Sequence, residues 1–232
     1  EDGSLYKVAR PGLSAGSGLL EDYAFASWGL LELFETSQEL RFLKAARELV
    51  DYMLVEFEDT DAGGFFLSSA SGEQLIVRPK ESTDGAIPSG NSMATLALLR
   101  LGRLTGEVKY ETAAAESLEG LSGSITRAPG SHTQFLMGLD FALGPTKEVV
   151  VTGDPADPKT QDALRRIHRP FVPSKVVILR PSSGYEALAK VVPYVELQGV
   201  VGEGPTLYLC QDFACQAPTG DVQSVVEALE GV

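Results

Sequence analysis

The strongest constraint in this chain is an internal repeat with an offset of 68 residues. Leu31-Glu-Leu-Phe-Glu-Thr-Ser-Gln-Glu-Leu-Arg-Phe42, with Ala45-Ala46, aligns without gaps on Leu99-Arg-Leu-Gly-Arg-Leu-Thr-Gly-Glu-Val-Lys-Tyr110, with Ala113-Ala114. Leu31/Leu99, Leu33/Leu101, Leu40/Val108, Phe42/Tyr110 and both alanine pairs match in character. Spacings of three and four make each copy a helical hairpin, and its small residues let the second helix approach closely. Such hairpins bury by stacking what one alone leaves exposed. The expected fold class is therefore mainly α, with residues 1–143 forming stacked helical hairpins.

Helices are expected in two pairs. Residues 21–57 hold the first, with Tyr23, Leu30, Leu31, Leu33 and Phe34 on one face, then Phe42, Ala45, Ala46, Leu49, Val50 and Met53 on another. The second pair occupies about 91–104 and 107–121. A fifth helix is expected at 131–143 with Phe135, Leu136, Leu139 and Leu143 on one side. Phe65-Phe66-Leu67 and Leu75-Ile76-Val77, after the turn signal Asp61-Ala-Gly-Gly64, are expected to pair as a short hairpin.

The period changes at Gly144-Pro145. The β-branched run Glu148–Thr152, a helix from Lys159 to His168 and the run Lys175–Leu179 give a strand–helix–strand order, which calls for parallel strands. Thr206–Cys210 is a third strand candidate, and Asp221–Leu229 a last helix capped by Thr219 or Asp221. Residues 144–232 are therefore expected to form a small α/β region containing a βαβ unit.

Charge excludes some partners. With 32 acidic and 19 basic side chains the formal net charge is −13, which disfavours nucleic-acid backbones and anionic membranes. No run of apolar residues is long enough to span a bilayer, and no basic-then-apolar leader precedes the first helix. A cytoplasmic location is expected. The chain starts at Glu1 with no Met, which reads as a trimmed product or a piece of a longer protein. Helical flanks built to meet missing hairpins would favour self-association.

Three segments stand just before the odd-numbered helices. They are Gly16–Tyr23, Arg78-Pro-Lys-Glu-Ser-Thr-Asp-Gly-Ala-Ile-Pro-Ser-Gly-Asn91 and Arg127–Gln134. In stacked hairpins the odd helices form one layer, so these loops share one end, where helix N-termini present free N–H groups to polar ligands. Asp22, Asp84, Glu21 and His132 are the candidate acid–base groups. Tyr23, Arg78, Lys80, Ser89, Asn91 and Gln134 are the candidate contacts to a small polar or sugar-like ligand. Structural roles are open to each: Glu21 and Asp22 for the helix macrodipole, Ser89 or Asn91 as an N-cap, Arg78 and Lys80 with Glu81 and Asp84 in a surface ion cluster, His132 as a hydrogen-bonded core residue.

Two cysteines, Cys210 and Cys215, have neither the C-x-x-C redox spacing nor a second pair for zinc. Burial as small residues, a disulfide and a reactive thiol are the alternatives, so the pair stands as a redox candidate. Gly153-Asp-Pro follows a strand but lacks a dinucleotide or Walker fingerprint. No cofactor and no metal are expected.

Several motifs together carry a family resemblance. Leu20-Glu-Asp-Tyr-Ala-Phe25, Arg78-Pro-Lys with Asp84-Gly-Ala-Ile-Pro-Ser-Gly-Asn-Ser92, Leu139-Asp-Phe-Ala-Leu-Gly-Pro145, Pro173-Ser-Lys-Val-Val177 and Cys210-Gln-Asp-Phe-Ala-Cys-Gln-Ala-Pro218 span the full chain. They resemble the C-terminal part of the spermatogenesis-associated protein 20 family, whose bacterial members are known as thioredoxin-domain-containing proteins. The resemblance implies a longer parent with an N-terminal thioredoxin-like domain, then an α/α toroid similar to six-hairpin glycosidases and N-acylglucosamine 2-epimerases. Relatives with that toroid use acidic and His residues at inner-helix ends. It thus implies an epimerase- or hydrolase-like carbohydrate-active parent, or else a scaffold that docks the thioredoxin-like domain or another protein.

Overall fold

Two helical hairpins frame the first part of the chain. The computed structural model describes residues 3–72 and 76–231, and about half of the chain is helical, which makes the protein mainly α. The described residues divide into two compact units, 3–102 with 107–142 and 103–106 with 143–231.

The first unit opens with an antiparallel ribbon, β1 (Tyr6–Arg10) and β2 (Leu13–Ser17), turned at Pro11-Gly12 with Gly12 at φ 77°. Then come α1 (Leu20–Ser37), α2 (Leu40–Glu56), α3 (Gly90–Thr105), α4 (Val108–Arg127) and α5 (Thr133–Leu143). The repeat extends to backbone conformation. Gln38 ends α1 at φ 58°, and Gly106, 68 positions later, ends α3 at φ 74°. The next residues, Glu39 and Glu107, sit at φ −81°, ψ 110° and φ −85°, ψ 109°. Both hairpins thus turn by the same left-handed residue followed by an extended one.

The buried faces differ in detail from the periodicity. In α1, Leu20, Tyr23, Ala24, Ser27, Leu31 and Phe34 are buried, while Leu33 is 49% exposed. In α2 the core residue is Leu43 together with Ala46, Val50 and Met53. Phe42 is only half-buried, with the Arg41 guanidinium 4.5 Å over its ring. A guanidinium placed over an aromatic face gains from the ring quadrupole at the surface, so Phe42 need not enter the core. Helix α5 starts two residues late, behind a 3-10 turn at Pro129–Ser131. It buries Phe135, Gly138 and Phe141 and leaves Leu143 exposed. A Cβ at Gly138 would make only ordinary van der Waals contact with Thr95, Leu96 and Leu99 of α3, so the packing of α5 on α3 leaves room for a methyl there.

The expected hairpin of 65–67 with 75–77 does not form. Leu75 lies outside the described residues, and Ile76 and Val77 are exposed. Phe65 instead makes an isolated antiparallel bridge with Glu58, and the Leu67 N–H donates to the Pro79 carbonyl oxygen at 2.8 Å. With these backbone groups satisfied, no partner strand is needed.

In the second unit a four-stranded sheet has the order β4-β3-β5-β6, with β3 (Lys147–Gly153), β4 (Lys175–Pro181), β5 (Thr206–Gln211) and β6 (Ala214–Cys215). β3 and β4 run parallel in the register Lys147↔Lys175, joined through α6 (Pro158–His168). β5 pairs antiparallel with β3, with Glu148 opposite Cys210. A short α7 (Glu186–Ala189) and the terminal α8 (Val222–Glu230) complete the unit; Asp221 caps α8 by accepting the Gln223 N–H at 2.9 Å. Val149, Val151, Val177, Leu207 and Leu209 form one sheet face under Ala163 and Ile167 of α6 and Val225 and Leu229 of α8. Each such aliphatic side chain, fully buried, contributes roughly 1.5–3 kcal/mol.

Candidate functional site

The segment from Arg78 to Asn91 connects α2 to α3 and passes the N-terminal end of α1, so its geometry decides what that end of the first unit offers. Its main organiser is Asp84. Oδ1 accepts from the Ser89 N–H at 2.8 Å and the Ser92 hydroxyl at 2.7 Å; Oδ2 accepts from the Gln134 N–H at 2.8 Å and the Phe135 N–H at 3.4 Å. The Asp84 N–H in turn donates to the Ser131 carbonyl oxygen at 2.8 Å. One carboxylate therefore satisfies orphan donors at the start of two helices, α3 and α5, which is what N-terminal capping requires. Its four acceptor positions are filled from within the chain.

Asn91 is fully buried and acts like a strand partner. Its Oδ1 accepts the Phe65 N–H at 2.7 Å, while Nδ2 donates to the Phe65 carbonyl at 2.9 Å and the Glu81 carbonyl at 2.8 Å. His132 is buried too. Nδ1 lies 2.8 Å from the Ala128 carbonyl oxygen and donates to it, and Nε2 lies 3.4 and 3.3 Å from the Ser82 and Ser124 hydroxyls. Gln134 meets Asp84 through its backbone. Ser89 caps the first turn of α3 by accepting the Ser92 N–H at 3.1 Å.

Arg78 and Lys80 turn to other partners. Arg78 Nε donates to the Ser68 carbonyl at 3.1 Å and Nη2 to the Glu56 carbonyl at 2.9 Å, with its guanidinium 4.3 Å over the Phe66 ring. Lys80 Nζ binds Asp59 Oδ2 at 2.6 Å and the Gly63 carbonyl at 2.8 Å. The bond from Lys80 holds the Asp59 carboxyl below its ordinary value. These two cations staple the segment to the end of α2 and the turn after it.

At α1, Asp22 Oδ2 accepts the Leu19 N–H at 2.8 Å, closing the first turn. Tyr23 is buried in an aromatic stack with Tyr52 at 5.0 Å, and its hydroxyl accepts the Leu5 N–H at 2.7 Å. Lys7 of β1 bridges Glu21 at 2.8 Å and Asp22 at 3.0 Å, and these bonds raise its pKa, that to Glu21 most. The ribbon β1–β2 thus supplies the counter-ion for the acidic helix start. No pattern in the sequence marks Lys7 for this role.

Among these residues Glu21 and Ser89 share a cavity of about 250 Å³, together with Glu81, Thr83 and the Gly85–Gly90 turn. Leu20 and Leu67 also line it. Glu81 and Thr83 were absent from the expected contact set; only the loop's density of polar residues marked them. Glu21, Glu81 and Thr83 thus line this space, with the Glu21 carboxylate also paired to Lys7. Such a lining accepts hydroxyl donors and offers apolar surface to a ring face.

The two cysteines lie in the other unit and are joined as a disulfide across paired positions of β5 and β6. Among the described residues no group of three or more His, Cys, Asp or Glu side chains is arranged to hold a metal ion. No described helix is long and apolar enough to cross a membrane.

The sequence is similar to those of several known proteins. The chain is 35% identical over 205 residues, 88% of its length, to spermatogenesis-associated protein 20 of Rattus norvegicus, and 33% identical over the same span to that of Homo sapiens. An uncharacterised protein of Caenorhabditis elegans is 29% identical over 208 residues. The chain spans about a quarter of the length of these relatives, between 26% and 28%. No family model matches it.

Proposed function

We propose, for a chain that belongs to the spermatogenesis-associated protein 20 family, that the loop before α3 and the start of α1 form a binding site for a small hydroxylated, sugar-like ligand. The observation that carries this reading is the cavity of about 250 Å³ with Glu21, Glu81, Thr83 and Ser89 on its wall. It lies below the roughly 300–1,000 Å³ usual for drug-sized ligands, which suits a single sugar ring. In this reading the two hairpins belong to an α/α toroid completed by other parts of a longer protein, and a carbohydrate-active chemistry resides at the inner-helix ends. Glu21 is the acid–base candidate with Asp22 beside it. Asp84, His132 and Asn91 position the loop, and Arg78 and Lys80 anchor its entry. Titration calorimetry with glucose, mannose and N-acetylglucosamine tests the reading: saturable heat that is lost in Glu21→Gln with Glu81→Gln supports it, and no heat with any of the three contradicts it.

A second reading is favoured by one observation: the carboxylate of Asp84 and the side chain of Asn91 are spent on internal bonds. This suits a rigid scaffold that docks a thioredoxin-like domain or another protein. Pull-down of a separately expressed thioredoxin-like domain of the same parent would support it.

A further inference from the structure

The disulfide Cys210–Cys215 closes a two-residue turn, Asp212-Phe213, in which both residues adopt left-handed backbone, at φ 51° and 60°. Neither is glycine, and a bulky residue there is uncommon. The turn is held by its surroundings. Arg103 donates to Asp212 Oδ1 at 2.9 Å, the Phe213 N–H donates to Glu148 Oε2 at 3.3 Å, and the Tyr194 ring meets the Phe213 ring at 5.6 Å. Pairing of Gln211 with Ala214 adds a ladder contact. The two sulfur-bearing residues are therefore kept together by bonds other than their own.

The sulfurs are unequal. Cys210 is 3% exposed, whereas Cys215 is exposed, and both border a cavity of about 330 Å³ with Tyr194, Leu197, Tyr208 and Phe213. Gln198 lines the same cavity and is buried, with its Nε2 3.5 Å from Cys215 Sγ and 3.8 Å from Cys210 Sγ. Its Oε1 is buried without a hydrogen-bond partner. A disulfide sulfur is a weak acceptor, so this amide gains little where it stands. A thiolate is a strong acceptor.

We propose that Cys210–Cys215 is a thiol–disulfide exchange site for a small thiol with an apolar body. The incoming thiolate attacks the exposed Cys215 Sγ, forming a new S–S bond as the Cys215–Cys210 bond breaks. Cys210 leaves with the electron pair as a thiolate, receives the Gln198 N–H bond, and then takes a proton from water. A second thiolate attacks the first thiol's sulfur in the mixed disulfide, the bond to Cys215 breaks, and Cys215 leaves as a thiolate that takes a proton from water; the two thiols depart as their disulfide, so two electrons pass from them to the cysteine pair. The turn, fixed by Arg103 and Glu148, keeps both thiols in register for closure.

The test treats the folded chain with benzyl mercaptan or with 2-mercaptoethanesulfonate, a thiol of comparable basicity but charged body, followed by acid quench and peptide mapping. The proposal expects the mixed disulfide on Cys215 and a rate about tenfold higher for benzyl mercaptan, the ratio that 1.4 kcal/mol of apolar contact gives. In Gln198→Met exchange slows with the melting temperature preserved. In Cys215→Ser the Cys210 thiol, followed by thiolate absorbance, titrates at higher pH once Gln198→Met is added, a shift that a packing role alone would not produce. A mixed disulfide on Cys210, equal rates for the two thiols, or exchange seen only in denaturant would overturn it; the wild-type mapping stands even if a variant fails to fold.

Discussion

Asp84 Oδ2 accepts the backbone N–H of Gln134 at 2.8 Å across fifty residues of sequence, while its other oxygen accepts the Ser89 N–H at the same distance. One side chain therefore fixes where two helices begin. Losing a capping side chain costs about 0.5–2 kcal/mol, so Asp84→Ala, which strips two helix starts, is expected to cost about 1–4 kcal/mol. Urea denaturation at neutral pH measures it. Asp84→Asn, which keeps Oδ1 and its two bonds, is expected to lose about half as much.

Gly120 and Gly123, three positions apart in α4, are expected to respond to alanine with opposite signs. A Cβ on Gly120 would collide with the Ala62 carbonyl and Gly63 of the turn packed on that face, whereas at Gly123 the nearest atom is the end of Arg127 at 3.7 Å. Gly123→Ala should stabilise by about 0.5–1 kcal/mol through helix propensity. Gly120→Ala should destabilise by more than that gain. Thermal melts of the two variants decide it.

Acid should weaken the Lys80–Asp59 link. The bond from Lys80 lowers the Asp59 pKa in the folded chain below its ordinary value of 3.8. A depressed carboxylate contributes stability that is present above its unfolded pKa and lost as pH falls through the folded one. The window thus opens near 3.8 and extends downward. Stability curves of wild type and Lys80→Met should converge as pH drops through that window. Parallel curves would show that the pair contributes nothing there.

Arg100 of α3 is largely buried, with an ion pair to Glu35 and another to Glu32 at 3.1 Å. Removing one member of a buried pair leaves an uncompensated charge and costs about 3–5 kcal/mol, whereas apolar replacement of both is often near neutral. Arg100→Met should therefore be far more destabilising than Arg100→Met combined with Glu35→Leu. A double-mutant cycle by denaturant titration checks the difference.

The helices were legible because apolar period and repeat agree: Leu31/Leu99 and the alanine pairs mark the same hairpin twice, and even the turn at Gln38 recurs at Gly106. The ribbon β1–β2 was not legible, since every residue in both strands is exposed and leaves no alternating pattern to read. The false hairpin at 65–77 had the right residue types. What it lacked was need, because Asn91 and Pro79 already satisfy Phe65 and Leu67. For the polar loop, sequence marked the segment but not the partners: which carboxylates cap helices and which face open space depends on contacts between Asp84 and residues fifty positions away.

The central question is whether the loop before α3 and the start of α1 hold a small polyol. Amide chemical shifts of a labelled chain titrated with N-acetylglucosamine test this most directly. The predicted result is saturable shifts concentrated at Glu21, Glu81, Thr83 and the Gly85–Gly90 turn, abolished in Glu21→Gln with Glu81→Gln. Shifts absent there at tens of millimolar sugar, or spread evenly over the chain, would contradict it.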